Sequence, residues 1–499
     1  MNNNSDEPPE THRPAKKFAI DVSWVFGSTI ISLIAGIILR LLVGNYFGPK
    51  GLGLFAMVLV LTAVAGIFGD FGVPAALVKF ISEHLENKKR VNRLISCSFI
   101  NSLIIGISLT VFFYIFSGYI ANLFNMPELS DMIKVVSFMF PFLIINDTFI
   151  GIFNGHRWMK KYTFLILVRR VGLIFITIFL ILLGWGVIAT IYALVIKEIA
   201  ALITNIFMIR KFKIKFILKG HFKETKKLFK FSQYLVLAEG IFYFNTYLDT
   251  FFIGFFLTDE HVGIYAIATL IAHFFLAIPS SISRISYPTT SNLYAKKDYK
   301  RIKKVLNLCM RYSFIIISIL GLLAIFFGKL ILRIAFPGQP DFQLAYYPMI
   351  ILIIGVTIRT VFFSIENIFS SANRPDIFLK IGGIGSIFNI ILNALLIPIY
   401  GLIGGALATS VALSISSFLV FYYLKRMKNI RISINWIIIA LPLYFIIIIS
   451  FLFLQNFINP YLLTIIFFPL FIIFLYLGKI ITPGDTQYLR EILSKRKAS

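Results

Sequence analysis

Apolar runs of about 20 residues or more, each able to cross ~30 Å of hydrocarbon as a helix, recur along almost all of this chain. In hydrocarbon every backbone N–H and C=O has to be satisfied inside the element, so such runs predict helices. Charged, Gly/Pro and Asn punctuation divides them into fourteen spans, at 18–43, 52–78, 94–117, 132–154, 163–184, 187–209, 229–256, 262–283, 305–327, 344–370, 376–398, 401–424, 434–454 and 460–481. The expected class is an all-α membrane protein of about fourteen transmembrane helices. Composition agrees, since 58% of the 499 residues are hydrophobic, 14% are charged and the mean hydropathy is +0.87. A water-soluble chain of this length would carry far more charge on the surfaces of several domains.

The net charge of +26 does not point to nucleic acid, because the basic residues sit in short connections between spans. Alternate connections hold Lys88, Lys89, Arg90 and Arg93, then Arg157, Lys160 and Lys161, then the stretch Arg210 to Lys230, then Lys296 to Lys304, then Lys425, Arg426, Lys428 and Arg431. Basic connections remain on the cytoplasmic side, and the intervening ones, such as Gly184-Trp185-Gly186 and Pro398-Ile399-Tyr400, are poor in Lys and Arg. Both termini then fall on the cytoplasmic side, as an even number of spans requires. The first span is expected to be retained, because it is long for a signal peptide and no small-residue cleavage site follows it. Cys97 and Cys309, far apart and without His or Cys at metal-ligand spacing, read as core thiols.

Gly44-Asn-Tyr-Phe-Gly-Pro-Lys-Gly-Leu-Gly53-Leu-Phe-Ala56 at the end of span one matches Gly254-Phe-Phe-Leu-Thr-Asp-Glu-His-Val-Gly263-Ile-Tyr-Ala266 at the end of span seven in both glycines, the aromatic and the alanine. Gly186 to Ala193, opening span six, resembles Gly401 to Ala408, opening span twelve. Two six-span halves of the same orientation follow, related by a pseudo-two-fold axis along the membrane normal. The expected organisation is a cytoplasmic tail at 1–17, one lobe at 18–209, an interlobe linker at 210–228, a second lobe at 229–424, two added spans within 434–481 and a cytoplasmic tail at 482–499. The basic stretch Arg210 to Lys230 interleaves Phe212, Ile214, Phe216, Ile217, Phe222 and Phe229 among its lysines, which suits either an anionic leaflet surface or a solvated loop.

The run Leu39 to Ala56, Gly69-Asp70-Phe71-Gly72-Val73, Val262-Gly-Ile-Tyr-Ala266 and Ser283-Arg-Ile-Ser-Tyr-Pro288, taken in order and spacing, resembles the polysaccharide-flippase branch of the multidrug/oligosaccharidyl-lipid/polysaccharide exporter superfamily. The resemblance implies a two-lobed, twelve-helix core with two added helices, alternating between inward- and outward-open forms to move a polyprenyl-phosphate- or pyrophosphate-linked glycan across the cell membrane, from inside to outside. Its implied partners are that lipid-linked glycan, membrane lipids and glycan-assembly proteins, with no cofactor and no nucleic acid. The chemistry is coherent, because a phosphorylated sugar crosses hydrocarbon only where the protein supplies a polar passage.

Intramembrane charge is costly and marks candidate function. Lys197 and Glu198 lie mid-span six, and Arg359 lies mid-span ten with Glu366 seven residues on, near the same helical face. Lys197 and Arg359 are expected to attract the phosphate, with Arg40 and Arg170 as way-stations and Glu366 beside them. The alternative is helix locking, by pairing of Lys197 with Glu366 or Arg359 with Asp147. Span seven carries a polar stripe of Glu239, Tyr243, Thr246 and Thr250, and span eleven repeats it with Gly382, Ser386, Asn389 and Asn393. These stripes suit either sugar hydroxyls or helix packing. Glu239 and Asp249 are candidates for holding a coupling Na⁺ or proton. Spans thirteen and fourteen, without charge, should face lipid. Gly66, Gly69, Gly72 and Pro74 in span two and Pro279 in span eight permit bending or plain kinks.

A cation-coupled drug exporter of the same superfamily is the nearest competing reading, although Lys197 and Arg359 oppose a cationic ligand. A membrane glycosyltransferase or ligase would need acidic residues on a sizeable outer domain, and an accessory scaffold would have no use for buried charge. The sequence shows no nucleotide-binding loop, metal cluster or catalytic triad, so a transporter is expected and not an enzyme.

Overall fold

The computed structural model describes residues 14–210, 217, 221–427, 430, 432–478 and 480. About half of the expected interlobe linker, most of the N-terminal tail and all of the C-terminal tail therefore lie outside the described residues. Among the described residues all regular structure is helical, and the chain divides into two compact units, Met1–Phe244 and Asn245–Ser499.

The first unit holds α1 (Pro14–Asp70), α2 (Val73–Glu83), α3 (Lys88–Leu123), α4 (Glu128–Ser137), α5 (Phe140–Gly155), α6 (Met159–Leu182) and α7 (Ile188–Ile209). The long α8 (His221–Phe256) carries the chain from one unit to the other. The second unit continues with α9 (Asp259–Ala295), α10 (Tyr299–Phe326), the short α11 (Gly328–Ala335), a 3₁₀ turn at Pro340–Ala345, α12 (Tyr346–Phe363), α13 (Asn367–Ser371), α14 (Pro375–Arg426), α15 (Asn435–Leu454) and α16 (Pro460–Leu477).

Among the described residues ten helices are long and apolar enough to cross a membrane, or eleven when α4 and α5 are taken as one bent span. Two of the helices are double: α1 turns at Gly48 (φ 67°) and α14 at Gly401 (φ 57°), and each accommodates two of the expected spans. With α8 for span seven, the helices among the described residues are compatible with the fourteen expected spans. The chain is thus an all-α, multi-pass membrane protein.

Span four, expected as one helix, is broken. α4 and α5 meet at a 50° bend just before Pro141, whose ring and missing N–H disfavour continuing the helix. Gly106 of α3 fits into that corner, where a Cβ would come within 2.5 Å of the Pro141 Cα. Span two breaks where its glycines cluster, with Phe71 (φ 42°) and Gly72 (φ 66°) left-handed and Pro74 opening α2.

The repeat has a backbone signature as well. Gly186, before α7, and Gly401, inside α14, occupy matching places in the two halves, and both are left-handed, at φ 66° and 57°. A side chain would strain both turns.

In the first unit α2, α3 and α5 bury a core that includes Leu77, Ile81, Leu94, Ile95, Ile152 and Phe153. In the second, α12 lies close against α14 because Gly355 leaves room for Ser410, whose hydroxyl donates to the Ile351 carbonyl at 2.8 Å. Small residues of this kind bring membrane helices together where water supplies no hydrophobic drive. The helix α15 attaches through fully buried Tyr444, 3.3 Å from the Thr357 hydroxyl, and turns Ile438, Ile446 and Ile449 outward.

Candidate functional site

Polar residues collect at three places inside the units, each built by neighbouring helices. In the first unit, α5 supplies Asn146 and Asp147, α6 supplies Arg169, and α7 supplies Lys197, Glu198 and Asn205. The Arg169 guanidinium donates to Asp147 at 2.6 Å through Nη1 and lies 2.9 Å from Glu198 Oε1 through Nη2, with Nε adding a hydrogen bond at 3.0 Å. Lys197 Nζ stands 2.9 Å from the same Glu198 oxygen, and Asn146 donates to the other at 2.8 Å. Asn205 in turn donates to Asn146 at 2.9 Å. Glu198 is wholly buried, while Lys197 and Arg169 keep 12% and 14% of their side chains exposed. Two cations and two carboxylates thus form one neutral network.

The second place joins α8 and α9 to α14. Asp249 is buried and accepts from the Tyr265 hydroxyl at 3.0 Å, the Thr409 hydroxyl at 2.5 Å and the Asn393 amide at 2.9 Å. The Asn393 amide is also bonded to Asn389, and one turn earlier Asn245 donates to Ser386 at 2.8 Å. The polar stripe of span eleven therefore meets Asn245 and Asp249 of span seven. Asp249 takes part in no ion pair among the described residues, and the carbonyl oxygen of Asn393 has no partner there. One carboxylate and several neutral oxygens make a donor set for a hard, singly charged cation. Among the described residues no group of His, Cys, Asp and Glu suits a transition metal.

The third place lies where α12 gives way to α13. Arg359 and Glu366 were placed near one helical face by sequence; the helix ends between them, and Arg359 Nη2 meets Glu366 Oε1 at 2.5 Å. The guanidinium also lies 4.8 Å from the Phe363 ring centre. Arg359 Nη1 and Glu366 Oε2 are buried without a hydrogen-bond partner among the described residues.

Other expected residues are more scattered. Arg170 is exposed on α6, whereas its neighbour Arg169 enters the network; Arg40 is half-buried on α1 and Thr246 half-buried on α8. The side chains of Glu239 and Tyr243 lie outside the described residues. Asp147 pairs with Arg169 and Glu366 with Arg359, so the carboxylates of the helix-locking alternative have partners within their own units.

Sequence reasoning missed Asn146, Arg169, Asn205, Asn245, Tyr265 and Thr409 as site residues. Two of them carried a signal: Tyr265 lies inside the repeated glycine–aromatic segment, and Thr409 directly follows the repeat that ends at Ala408.

The sequence profile of the family described as polysaccharide biosynthesis protein matches residues 18–294, more than half of the chain. The chain belongs to that family. A second profile, MatE, matches residues 235–395. Among relatives of this family member, the probable low-salt glycan biosynthesis flippase Agl15 of Haloferax volcanii is 24% identical over 396 residues, covering 78% of this chain and 80% of its own length. The putative O-antigen transporter of Shigella flexneri is 22% identical over 418 residues, covering 81% and 97%. The fold of this chain is like that of the lipid II flippase MurJ in its inward closed conformation. The TM-score is 0.72 at 20% identity, over 91% of this chain and 98% of that one.

Proposed function

We propose that the chain is a flippase that translocates a lipid-linked oligosaccharide or polysaccharide precursor across the cell membrane by alternating access of its two lobes. The observation that carries this reading is buried, hydrogen-bonded charge inside membrane-spanning helices, in a member of a family whose named relatives include flippases. Charge held at such cost needs a use, and an anionic, sugar-bearing headgroup supplies one. On this reading Lys197 and Arg359 attract the phosphate, with Arg40 and Arg170 along its route. Glu366 holds Arg359 until substrate arrives, and Thr246, Tyr243, Asn389 and Asn393 meet hydroxyls. Asp249, with Glu239, holds the coupling cation.

The protein is then a transporter and not an enzyme, with both termini cytoplasmic, and its substrate is a polyprenyl-phosphate- or pyrophosphate-linked glycan handed on by glycan-assembly proteins. The deciding experiment is flipping of a fluorescent polyprenyl-pyrophosphate-linked sugar in proteoliposomes. The intact protein should transport, and Lys197→Gln or Arg359→Gln should reduce the rate at least about tenfold, a barrier change of ~1.4 kcal/mol. Undiminished flipping by both variants at equal protein levels would remove the anion-binding roles.

A second reading, a cation-coupled multidrug exporter, is favoured by the MatE match over residues 235–395. Transport of organic cations without transport of the glycolipid would select it.

A further inference from the structure

At the basic end of the second unit a cavity of about 350 Å³ opens between the end of α9, the start of α10, the α13–α14 turn and the last turn of α14. Its walls include Tyr294, Tyr299 and Tyr423, the guanidinium-bearing Arg374 and Arg426, and apolar Ile377. We infer that this cavity binds the phosphate group of a phosphorylated ligand, gripped by Arg374 and Arg426 against the tyrosines.

The arginines are prepared for that task in different ways. Arg374 is clamped to Asp376, its Nε donating at 2.9 Å and its Nη2 at 3.0 Å. The clamp fixes the plane of the guanidinium and leaves Nη1 for a further acceptor. The Asp376 carboxylate is engaged twice over, since Lys380 also stands 3.5 Å from it. Arg426 lies over the Tyr422 ring at 4.5 Å and has no carboxylate partner among the described residues.

Planar guanidinium groups suit phosphate oxygens, and tyrosines hold an amphipathic ligand where one side is apolar and the other wet. Lys296, Lys297 and Lys300 are sequence neighbours of Tyr294 and Tyr299 but do not line the cavity. The phosphate can belong to a lipid headgroup or to a soluble ester. This inference stands apart from the transport reading, and its test requires no transport.

The test is binding to the purified full-length protein in detergent, followed by native mass spectrometry with dioctanoyl phosphatidic acid, glycerol 3-phosphate and dioctanoyl phosphatidylcholine as probes. Phosphatidic acid should bind, and Arg374→Gln/Arg426→Gln should weaken it at least tenfold. Lys296→Gln/Lys300→Gln, which removes the same charge outside the cavity, should leave it within twofold. Binding of glycerol 3-phosphate with the same dependence on the arginines would support a site that soluble esters fill. Binding of phosphatidic acid alone would support a headgroup site at the bilayer surface. Equal binding by the arginine variant and the intact protein, or an equal loss in the lysine variant, would overturn the assignment. Both arginines are exposed; if the double variant fails to purify, Arg426→Gln alone gives the same readings.

Discussion

In the first unit two cations and two carboxylates close on one another. In the second, a carboxylate sits among neutral hydroxyls and amides, and an arginine–glutamate pair leaves a nitrogen and an oxygen unused. The internal repeat makes this a comparison of like with like. Superposing Gly254–Ala266 on Gly44–Ala56 puts Asp249 opposite Leu39 and Tyr265 opposite Phe55, and superposing Gly401 on Gly186 puts Thr409 opposite Leu194 and Leu413 opposite Glu198. Each half has polar residues where the other has apolar ones. A duplicated backbone has thus been given two interiors: one whose charges are matched among themselves, and one that keeps a carboxylate without a cation and a guanidinium nitrogen without an acceptor among the described residues.

The largest effect should come from opening the complete network. Glu198→Gln leaves Arg169 and Lys197 buried beside Asp147 alone, and breaking a buried pair on one side costs about 3–5 kcal/mol. Its thermal midpoint in detergent should fall sharply, by fluorescence-detected chromatography, whereas Asp249→Asn, which strands no opposite charge, should unfold near the wild-type midpoint without added cation. A Glu198→Gln variant as stable as Asp249→Asn would erase the distinction between the halves. Next is the cation itself. If Asp249 receives Na⁺ or another singly charged cation, that ion at one hundred times its dissociation constant adds about 2.7 kcal/mol of stability. The midpoint should rise in its chloride salt relative to choline chloride in the wild type and stay flat in Asp249→Asn. An equal rise in both would leave Asp249 without a cation role.

The class of the fold was legible because hydrocarbon admits so few solutions: apolar length and basic punctuation identify spans whatever their neighbours. One part of the repeat was legible because its opening glycine is a conformational requirement in both halves, as the left-handed Gly186 and Gly401 show. Breaks were legible only where glycine and proline cluster, as at Gly72 and Pro74; the bend before Pro141 depends on α3 offering Gly106 to its corner, a tertiary fact. Charge drew attention to Lys197, Glu198, Arg359 and Asp249, but partners are chosen by packing. Nothing in an Arg169-Arg170 doublet says which guanidinium turns inward, and Thr409, a neutral residue 160 positions from Asp249, has no electrostatic signature of its own.

A middle-sized effect is expected at the half-satisfied pair. Arg359→Gln removes the one partner that Glu366 has among the described residues and should cost about 3 kcal/mol, the low end for breaking a buried pair, because one nitrogen and one oxygen of the pair are already unpaired there. The double variant Arg359→Gln/Glu366→Gln should regain most of that stability while remaining defective in flipping, because removing both charges relieves the strain without restoring a cation for the phosphate. Recovery of stability together with transport would make the pair a helix lock with no part in binding the phosphate.

The smallest effect tests that last difference at one atom. Tyr265→Phe makes the second unit resemble the first, where Phe55 stands, by deleting the hydroxyl that donates to Asp249 at 3.0 Å. Hydrogen bonds between membrane helices average about 0.6 kcal/mol and reach about 1.7, so the loss without cation should be modest. The ring packs as before, but the carboxylate keeps one hydroxyl partner, Thr409, beside the asparagine amides, and any bound cation loses an oxygen from its surroundings. Cation-dependent stabilisation should therefore shift to higher concentration by severalfold while its maximum stays the same. A phenylalanine variant with an unchanged midpoint and an unchanged cation titration would mean that Tyr265 fills space as Phe55 does, and that the receptive character of the second half rests on α8 and α14 alone.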